Sequence, residues 1–392
     1  MWYNGLLDLS AWQLVGITLL MTHVTIVSVT VYLHRYSAHR ALELNGALKH
    51  FFRFWLWLTT AQNTREWTAV HRKHHAKCET PEDPHSPVVL GIKKVLTEGA
   101  ELYRLEAKNK ETMARYGQGT PDDWIERNLY SKHSGLGIRL MLITNVILFG
   151  PLGLTIWAVQ MAWIPIWAAG VVNGLGHYWG YRNYDCTDAA TNISPWGILI
   201  GGEELHNNHH AFATSAKLSS KWYEFDIGWM YIRILEIMGL AKAKKTIPQP
   251  RFQARDVVDT QTLEAIITHR YDVMTRYMKS LRSIYAEEVE KLRTSHVALA
   301  DGDRYQRFKR WLSRSENAQP TSDDAEMASM LSHSSRLETV HTMRQELTAL
   351  WARSTASSEQ LLKQLQDWCA RAESSGIKQL QDFSRRLKTY AV

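Results

Sequence analysis

Two stretches of this chain stay free of charge for longer than a bilayer core is thick. Ser10 to Leu33 is a run of 24 residues without Asp, Glu, Lys or Arg, and Leu140 to Tyr181 is a run of 42. A helix needs about 20 apolar residues to cross a bilayer core, so the first run is one crossing. The second would extend roughly 63 Å as a single helix, about two bilayer cores. It therefore reads as a helical hairpin, with its turn between Leu154 and Pro165 and with Pro151 kinking the first arm. Backbone polar groups in lipid must be satisfied within the segment, which favours helices. The expected fold class is all-α, a membrane helical domain of about three transmembrane helices.

Charge orients these segments. Residues 1–9 hold no Lys or Arg, whereas Arg35, Arg40 and Lys49 follow the first run at once. Positive residues favour the cytoplasmic side, so the N-terminus is expected outside and the far end of the run in the cytoplasm. The hairpin then leaves and returns to that side. Segments Asn45–Gln62 and Ile227–Ala241 are apolar on one side only and read as interfacial helices. The net charge of +7 fits cytoplasmic loops better than nucleic-acid binding. Cys78, Cys186 and Cys369 fit neither a disulfide framework nor a CxxC metal site, and reduced thiols are expected. No basic segment precedes the first run, so a cleaved signal peptide is not expected. His23, in mid-span among Thr22, Thr25 and Ser28, reads as a neutral histidine bonded across helices.

Histidines gather where these runs end. His34 and His39 are spaced by five; His71, His74 and His75 form HxxHH; His206, His209 and His210 repeat it; His177 closes Asn-Gly-Leu-Gly-His. On a helix, positions i, i+3 and i+4 share a face, so each HxxHH can present its imidazoles together, while the five-residue spacing suits a helix end. Imidazole is the commonest neutral metal ligand. Nine of them exceed what one zinc needs, and four or five per ion fit six-coordinate iron with open positions better than tetrahedral zinc. Metal-bound histidines donate their other N–H to carboxylates, for which Glu66, Asp83 and Glu203 stand close by. Asn173, one helical turn before His177, is placed to hold a metal-bound water.

Taken together, His-Arg-Tyr-Ser-Ala-His (34–39), Glu-Trp-Thr-Ala-Val-His-Arg-Lys-His-His (66–75), Asp-Pro-His (83–85), Asn-Gly-Leu-Gly-His (173–177), Gly-Tyr-Arg-Asn-Tyr (180–184) and Gly-Glu-Glu-Leu-His-Asn-Asn-His-His (202–210) resemble the membrane fatty-acyl desaturases of the stearoyl-CoA Δ9 type, in that family's order and spacing. The resemblance covers about residues 10–245. It implies a bacterial-type Δ9 desaturase with two iron ions in a cytosolic cap, nine histidine ligands, one Asn-held water, and O₂ as co-substrate. It also implies a fatty acyl substrate and membrane lipid surroundings, in the inner membrane if the source is bacterial. No His-Pro-Gly-Gly of a fused cytochrome b5 is present, which implies a separate electron donor such as rubredoxin or ferredoxin with its NAD(P)H reductase. Where vertebrate acyl-CoA enzymes carry Arg-Asp before the second box, this chain has Ala69 and Val70. Both acyl-CoA and phospholipid-bound chains thus stand as carriers, and Arg182 remains for a phosphate on either.

From about Pro248 the chain turns polar. Residues 1–247 are expected to form the catalytic domain and 248–392 a helical C-terminal extension, with residues 301–324 as a linker within it. Trp368 to Tyr390 looks faintly similar to a helical segment of some transposases. A packing or partner-docking extension is the expectation, with no nucleic-acid partner. Three other readings of the boxes remain: a membrane di-iron hydroxylase of alkane or lipid type, a membrane zinc hydrolase, and a non-enzymatic metal-binding or transport protein, although transporters place metal ligands at the bilayer midplane and these boxes flank the spans.

Overall fold

The computed structural model describes residues 5–295, 302–313, 323–352 and 355–391. It divides into two compact units: residues 1–183 with 188–247, and residues 248–392 with 184–187. The described residues are mostly helical, with three short two-stranded pairings that charge patterning did not signal.

Two helices of the first unit, Ala11–Ala38 and Leu152–Leu175, are long and apolar enough to cross a membrane, and Ser134–Phe149 is a shorter apolar helix. The first opens on a capping box, with Ser10 and Gln13 satisfying each other's free N–H groups. The hairpin exists, but its turn lies at Gly150-Pro151, ahead of the expected Leu154–Pro165. Gly150 sits at φ 64°, ψ −153°, a conformation that only glycine adopts without strain. Pro151 then opens the second arm, where its missing N–H costs nothing, and does not kink the first. At Pro165 the helix does not end; it widens into π-helical turns over Pro165–Val172. The arms pack so closely that a Cβ on Gly153 would stand 2.1 Å from the Asn145 carbonyl oxygen. Across the same seam Asn145 Nδ2 donates to Gln160 Oε1 at 3.3 Å, and Trp157 Nε1 donates to the Ile138 carbonyl at 3.0 Å.

The N–H groups of Leu6 and Leu7 donate to the carbonyls of Ile147 and Leu148, both at 2.9 Å. The start of the first helix therefore lies at the hairpin's tip. Both long helices run away from that tip, so His34, His39, Asn173 and His177 arrive at the same opposite end.

The two segments read as interfacial are helices, Gly46–Thr60 and Ile227–Ile237. The first turns Phe52, Leu56 and Trp57 inward and leaves Phe51 and Phe54 exposed. Its Arg53 is buried and held by Asp123 at 2.6 and 2.9 Å and by Glu126 at 2.9 Å. His23 meets the Tyr231 hydroxyl of the second at 2.7 Å. Arg35 is buried in a two-pronged pair with Asp226, at 2.9 and 3.1 Å, and also donates to the carbonyls of Ala216 and Gly201. Leu42–Leu44 pairs antiparallel with Ala241–Ala243, and Trp196–Gly197 pairs parallel with Phe225–Asp226.

The second unit is built from helices Thr260–Thr268, Arg270–Ser295, Gly302–Ser313, Asp324–Leu331, Ser335–Ala349, Ser358–Ser374 and Lys378–Lys388. Ile266, Tyr277, Leu281, Val340, Trp368 and Phe383 lie in its core. Its ends close where Arg251–Phe252 pairs with Tyr390–Ala391. Much of the expected 301–324 linker is helix: the apolar face of Gly302–Ser313 buries Phe308 and Leu312 in a core shared with Met327 and Leu331. Residues 314–322 of it lie outside the described residues.

Candidate metal centre

Box one explains its own spacing. The last eleven residues of the first helix, Ser28–Ala38, wind as a π-helix, and the His39 N–H donates to the His34 carbonyl five residues back. The wider turn brings positions five apart onto one side, and the two rings stand 4.8 Å apart. Box two lies on Thr64–Lys77, which Asn63 caps through the N–H groups of Arg65 and Glu66. Box three lies on the six-residue helix His206–Ala211. Its two asparagines are fully buried and fix it in place: Asn207 holds the Ala190 carbonyl and the Asn183 N–H, while Asn208 donates to Glu224. His177 follows the short turn Asn173–Leu175, and Gly176 passes so close to box three that a Cβ there would meet the His206 ring at 2.8 Å.

The nine imidazoles gather in two groups. His34, His39, His71, His75 and His209 present ligand atoms within 4.8 Å of one another. His74, His177, His206 and His210 form the second group: His74 and His210 each stand about 5 Å from His177, ring to ring, and His206 Nε2 lies 3.1 Å from His177 Nε2. Neither HxxHH converges on one point. Box two sends His71 and His75 to the first group and His74 to the second; box three sends His209 to the first and His206 and His210 to the second.

Four imidazoles are oriented from behind by carboxylates. His34 Nδ1 donates to Glu203 at 2.8 Å, His74 Nδ1 to Asp83 at 3.0 Å, His210 Nδ1 to Asp188 at 3.0 Å and His177 Nδ1 to Glu79 at 3.4 Å. Such partners fix the tautomer and turn Nε2 inward as a lone pair. Asp83 and Glu203 were legible beside the boxes. Glu79 and Asp188 were not, because each acts across a loop, and the Glu66 side chain makes no hydrogen bond to an imidazole among the described residues. Cys78 Sγ lies 4.0 Å from His177 Nδ1, on the carboxylate side of that ring.

The donor set fits metal ions. Among the described residues, Nε2 of His74 and of His210 is buried without a hydrogen-bond partner. Elsewhere Nε2 atoms meet one another: His39 and His71 at 2.8 Å, His75 and His209 at 2.9 Å, His34 and His209 at 3.0 Å. Two imidazoles on one ion at bonds of about 2.1 Å stand about 3.0 Å apart at right angles and about 3.4 Å apart at the tetrahedral angle. The observed spacing is the right-angled one. Burial, reinforced by the neighbouring imidazoles, holds His39, His71, His75, His206, His209 and His210 well below the ordinary imidazole range, so their rings are neutral at pH 7. For His74 burial acts downward, but Asp83 outweighs it and raises the ring. Asp83 is itself buried, yet His74 beside it holds its carboxyl well below the usual carboxylate range.

A cavity of about 420 Å³ opens onto both groups. Trp157, Gln160 and Met161 line its apolar part, and His71, Asn173 and His206 its other end. Ala69 and Val70 are both buried and present nothing charged to a carrier. Arg182 is exposed but already donates to the carbonyls of Asp188 and Ala190.

Apolar helices that end at two imidazole groups beside an apolar cavity fit a metal-binding protein associated with a membrane. A family model described as fatty acid desaturase matches residues 10–226. The chain belongs to the fatty acid desaturase family, a membrane-associated family, and this supports an oxidoreductase that acts on fatty acyl lipids. Among its relatives, the sn-1 stearoyl-lipid 9-desaturase of Anabaena variabilis is 29% identical over 238 residues, 59% of this chain and 84% of that one. The Delta-9 acyl-lipid desaturase 1 of Arabidopsis thaliana is 29% identical over 236 residues, 59% of this chain and 74% of that one. A second family model, described as transposase, matches residues 255–392, a wider stretch than the Trp368–Tyr390 resemblance read from sequence.

Proposed function

We propose that this chain is an O₂-dependent Δ9 fatty-acyl desaturase. The observation that carries the reading is the convergence of nine buried or half-buried imidazoles from four separate segments, in two groups, at one end of an apolar cavity. His34, His39, His71, His75 and His209 would hold one iron. His74, His177, His206 and His210 would hold the other, with Asn173 fixing a water. Two irons there would supply the strong oxidant that unactivated C–H bonds require and that no side chain provides. O₂ takes up two hydrogens from adjacent methylenes, two electrons and two protons, and leaves as two waters. The electrons come from a separate donor, a rubredoxin or ferredoxin with its reductase.

The residues of the chain bind and orient. The cavity excludes water from a saturated chain and sets one carbon–carbon bond against the imidazole end. Glu203, Asp83, Glu79 and Asp188 keep four imidazoles in one tautomer. In the membrane, the charge asymmetry of the sequence favours an N-terminus outside and a site facing the cytoplasm. The second unit is taken as a packing or partner-docking extension without a nucleic-acid role.

Expression in a host unable to make unsaturated fatty acids, followed by mass spectrometry of its lipids, tests the reaction. Loss of two hydrogens at carbons 9 and 10 is expected. Gain of one oxygen would point to the hydroxylase reading, and zinc with O₂-independent turnover to the hydrolase. Purified enzyme given labelled acyl-CoA and labelled phospholipid together identifies the carrier by which is desaturated first.

A further inference from the structure

Several polar groups that line the cavity away from the imidazoles are already spent. The Thr59 and Thr60 hydroxyls donate to the carbonyls of Trp55 and Leu56 on their own helix, at 2.8 and 2.7 Å, and Trp157 Nε1 donates to the Ile138 carbonyl. Tyr103 differs. It lies on the helix Ile92–Ala107 and lines the cavity, and its hydroxyl is shut away from solvent with no hydrogen-bond partner among the described residues. A buried O–H left bare costs about 1–3 kcal/mol, so one that lines a cavity calls for an acceptor supplied by the occupant. Arg104, the next residue, also lines the cavity and is exposed, so the cavity opens beside the hydroxyl.

The distance to the imidazoles suits one end of an acyl chain. A Cβ on Gly174 would meet the Leu96 side chain at 3.3 Å, and one on Gly99 the Ala169 carbonyl oxygen at 2.4 Å, so the helix Ile92–Ala107 runs antiparallel to the one that carries Asn173. Leu96 therefore lies beside the imidazole end, and Tyr103, seven residues on and past the bend at Glu98, lies roughly 10 Å further along. A saturated chain spans about the same 10 Å from its carbonyl carbon to carbon 9, eight bonds on. The stretch from carbon 10 to the methyl end of a stearoyl chain spans as much, but a methyl gives a hydroxyl nothing to bond. Two other bare polar atoms line the cavity away from the imidazoles, and neither suits a carbonyl. Gln62 Oε1 is itself an acceptor. Gln160 Nε2 is a donor, but it stands thirteen residues before Asn173 on one helix, about 20 Å and twice too far.

We propose that the Tyr103 hydroxyl donates to the carbonyl oxygen of the bound acyl ester and so fixes which carbons lie against the imidazoles. That carbonyl belongs to an oxygen ester on a phospholipid or to a thioester on CoA, and it presents the same acceptor to Tyr103 in both. The inference rests on the desaturase reading above and adds to it the residue that sets the double-bond position.

The test compares wild type, Tyr103→Phe and Tyr223→Phe, an exposed tyrosine, in the host unable to make unsaturated fatty acids. Membranes from that host receive labelled stearoyl-phospholipid, labelled stearoyl-CoA, and the ether and thioether analogues that lack the carbonyl oxygen. Mass spectrometry reads the position of each double bond. Wild type and Tyr223→Phe should place it between carbons 9 and 10. Tyr103→Phe leaves the carbonyl unpaired, so product at the neighbouring positions should rise about 5–100-fold relative to that at 9. The carrier whose product spreads is the one whose carbonyl Tyr103 holds. Product confined to carbons 9 and 10 on both carriers overturns the proposal, and a hydroxyl that held only a water would give that result. Wild type given the analogues should show the same spread, which decides the matter if Tyr103→Phe does not fold; analogue products confined to carbons 9 and 10 overturn the proposal equally. The two failures separate: a wild type that makes no unsaturated chain sinks the desaturase reading, whereas unsaturation at one position in wild type and variant alike sinks the role of Tyr103 alone.

Discussion

Asp83→Asn is the sharpest probe of how the second group is held. Three N–H donors converge on this buried carboxylate: His74 Nδ1 and the His85 N–H on Oδ1, and the Glu79 N–H on Oδ2 at 2.8 Å. An amide of the same shape offers one oxygen and one NH₂. Turned to keep its oxygen on His74 and His85, it sets its NH₂ against the Glu79 N–H, a buried unsatisfied donor that costs about 1–3 kcal/mol. Loss of charge also weakens the bond to His74 by roughly half and makes its Nε2 a poorer ligand. One of the two ions should therefore bind about 10–100-fold more weakly, or about 1.4–2.8 kcal/mol. Among the described residues Asp83 bonds to His74, His85 and Glu79 and to no histidine of the first group, so the other ion should bind as before. Iron titration against a chelator reads both affinities. Two ions held as tightly as in wild type would refute the orienting role of the carboxylate, and equal weakening of both would refute the division into two groups.

Other outcomes follow from the same reasoning. Asp226→Ala leaves the buried Arg35 guanidinium without its partner and should destabilise the first unit by about 3–5 kcal/mol, read as a lower thermal midpoint in detergent. In the second unit, burial and then Arg344 hold His341 down at about 4, below its ordinary 6.5. The unfolded chain therefore takes up the proton first as pH falls. The contribution is complete above about pH 6.5 and lost on the way to about pH 4, at most about 3 kcal/mol. Proteolysis between residues 302 and 349 should steepen over that window, and His341→Gln should flatten it. His71→Ala or His206→Ala should abolish unsaturation while the protein still inserts in the membrane; retained activity in both would contradict the ligand assignment. The transposase match adds a control: DNA binding that weakens steeply with salt and maps to residues 255–392 would overturn the reading of this unit as a packing or partner-docking extension.

The sequence made the apolar helices and the nine imidazoles visible because both are written in composition and short spacing. The hairpin turn was misplaced because charge alone set its limits; Gly150-Pro151, a turn signal in its own right, outranked the distance argument. The carboxylates behind the imidazoles were half legible. Glu203 lies three residues before His206 yet serves His34, and Asp188 reaches His210 from a separate loop, contacts that no local spacing encodes.

The division of the boxes is a consequence of helix geometry that the motif alone conceals. At about 100° per residue, positions i and i+4 lie about 40° apart, while i+3 lies about 60° to the other side of i. His71 and His75 can therefore reach one ion, and His74 is turned toward another. Box three obeys the same rule with the groups exchanged: His206 and His210 share the second group, and His209 turns to the first. Each HxxHH gives a pair to one group and a single imidazole to the other, which makes three apiece. Box one then adds two imidazoles to the first group, and His177 adds one to the second. The resulting five and four leave the second group one donor fewer, on the side where Asn173 lines the cavity and would hold a water.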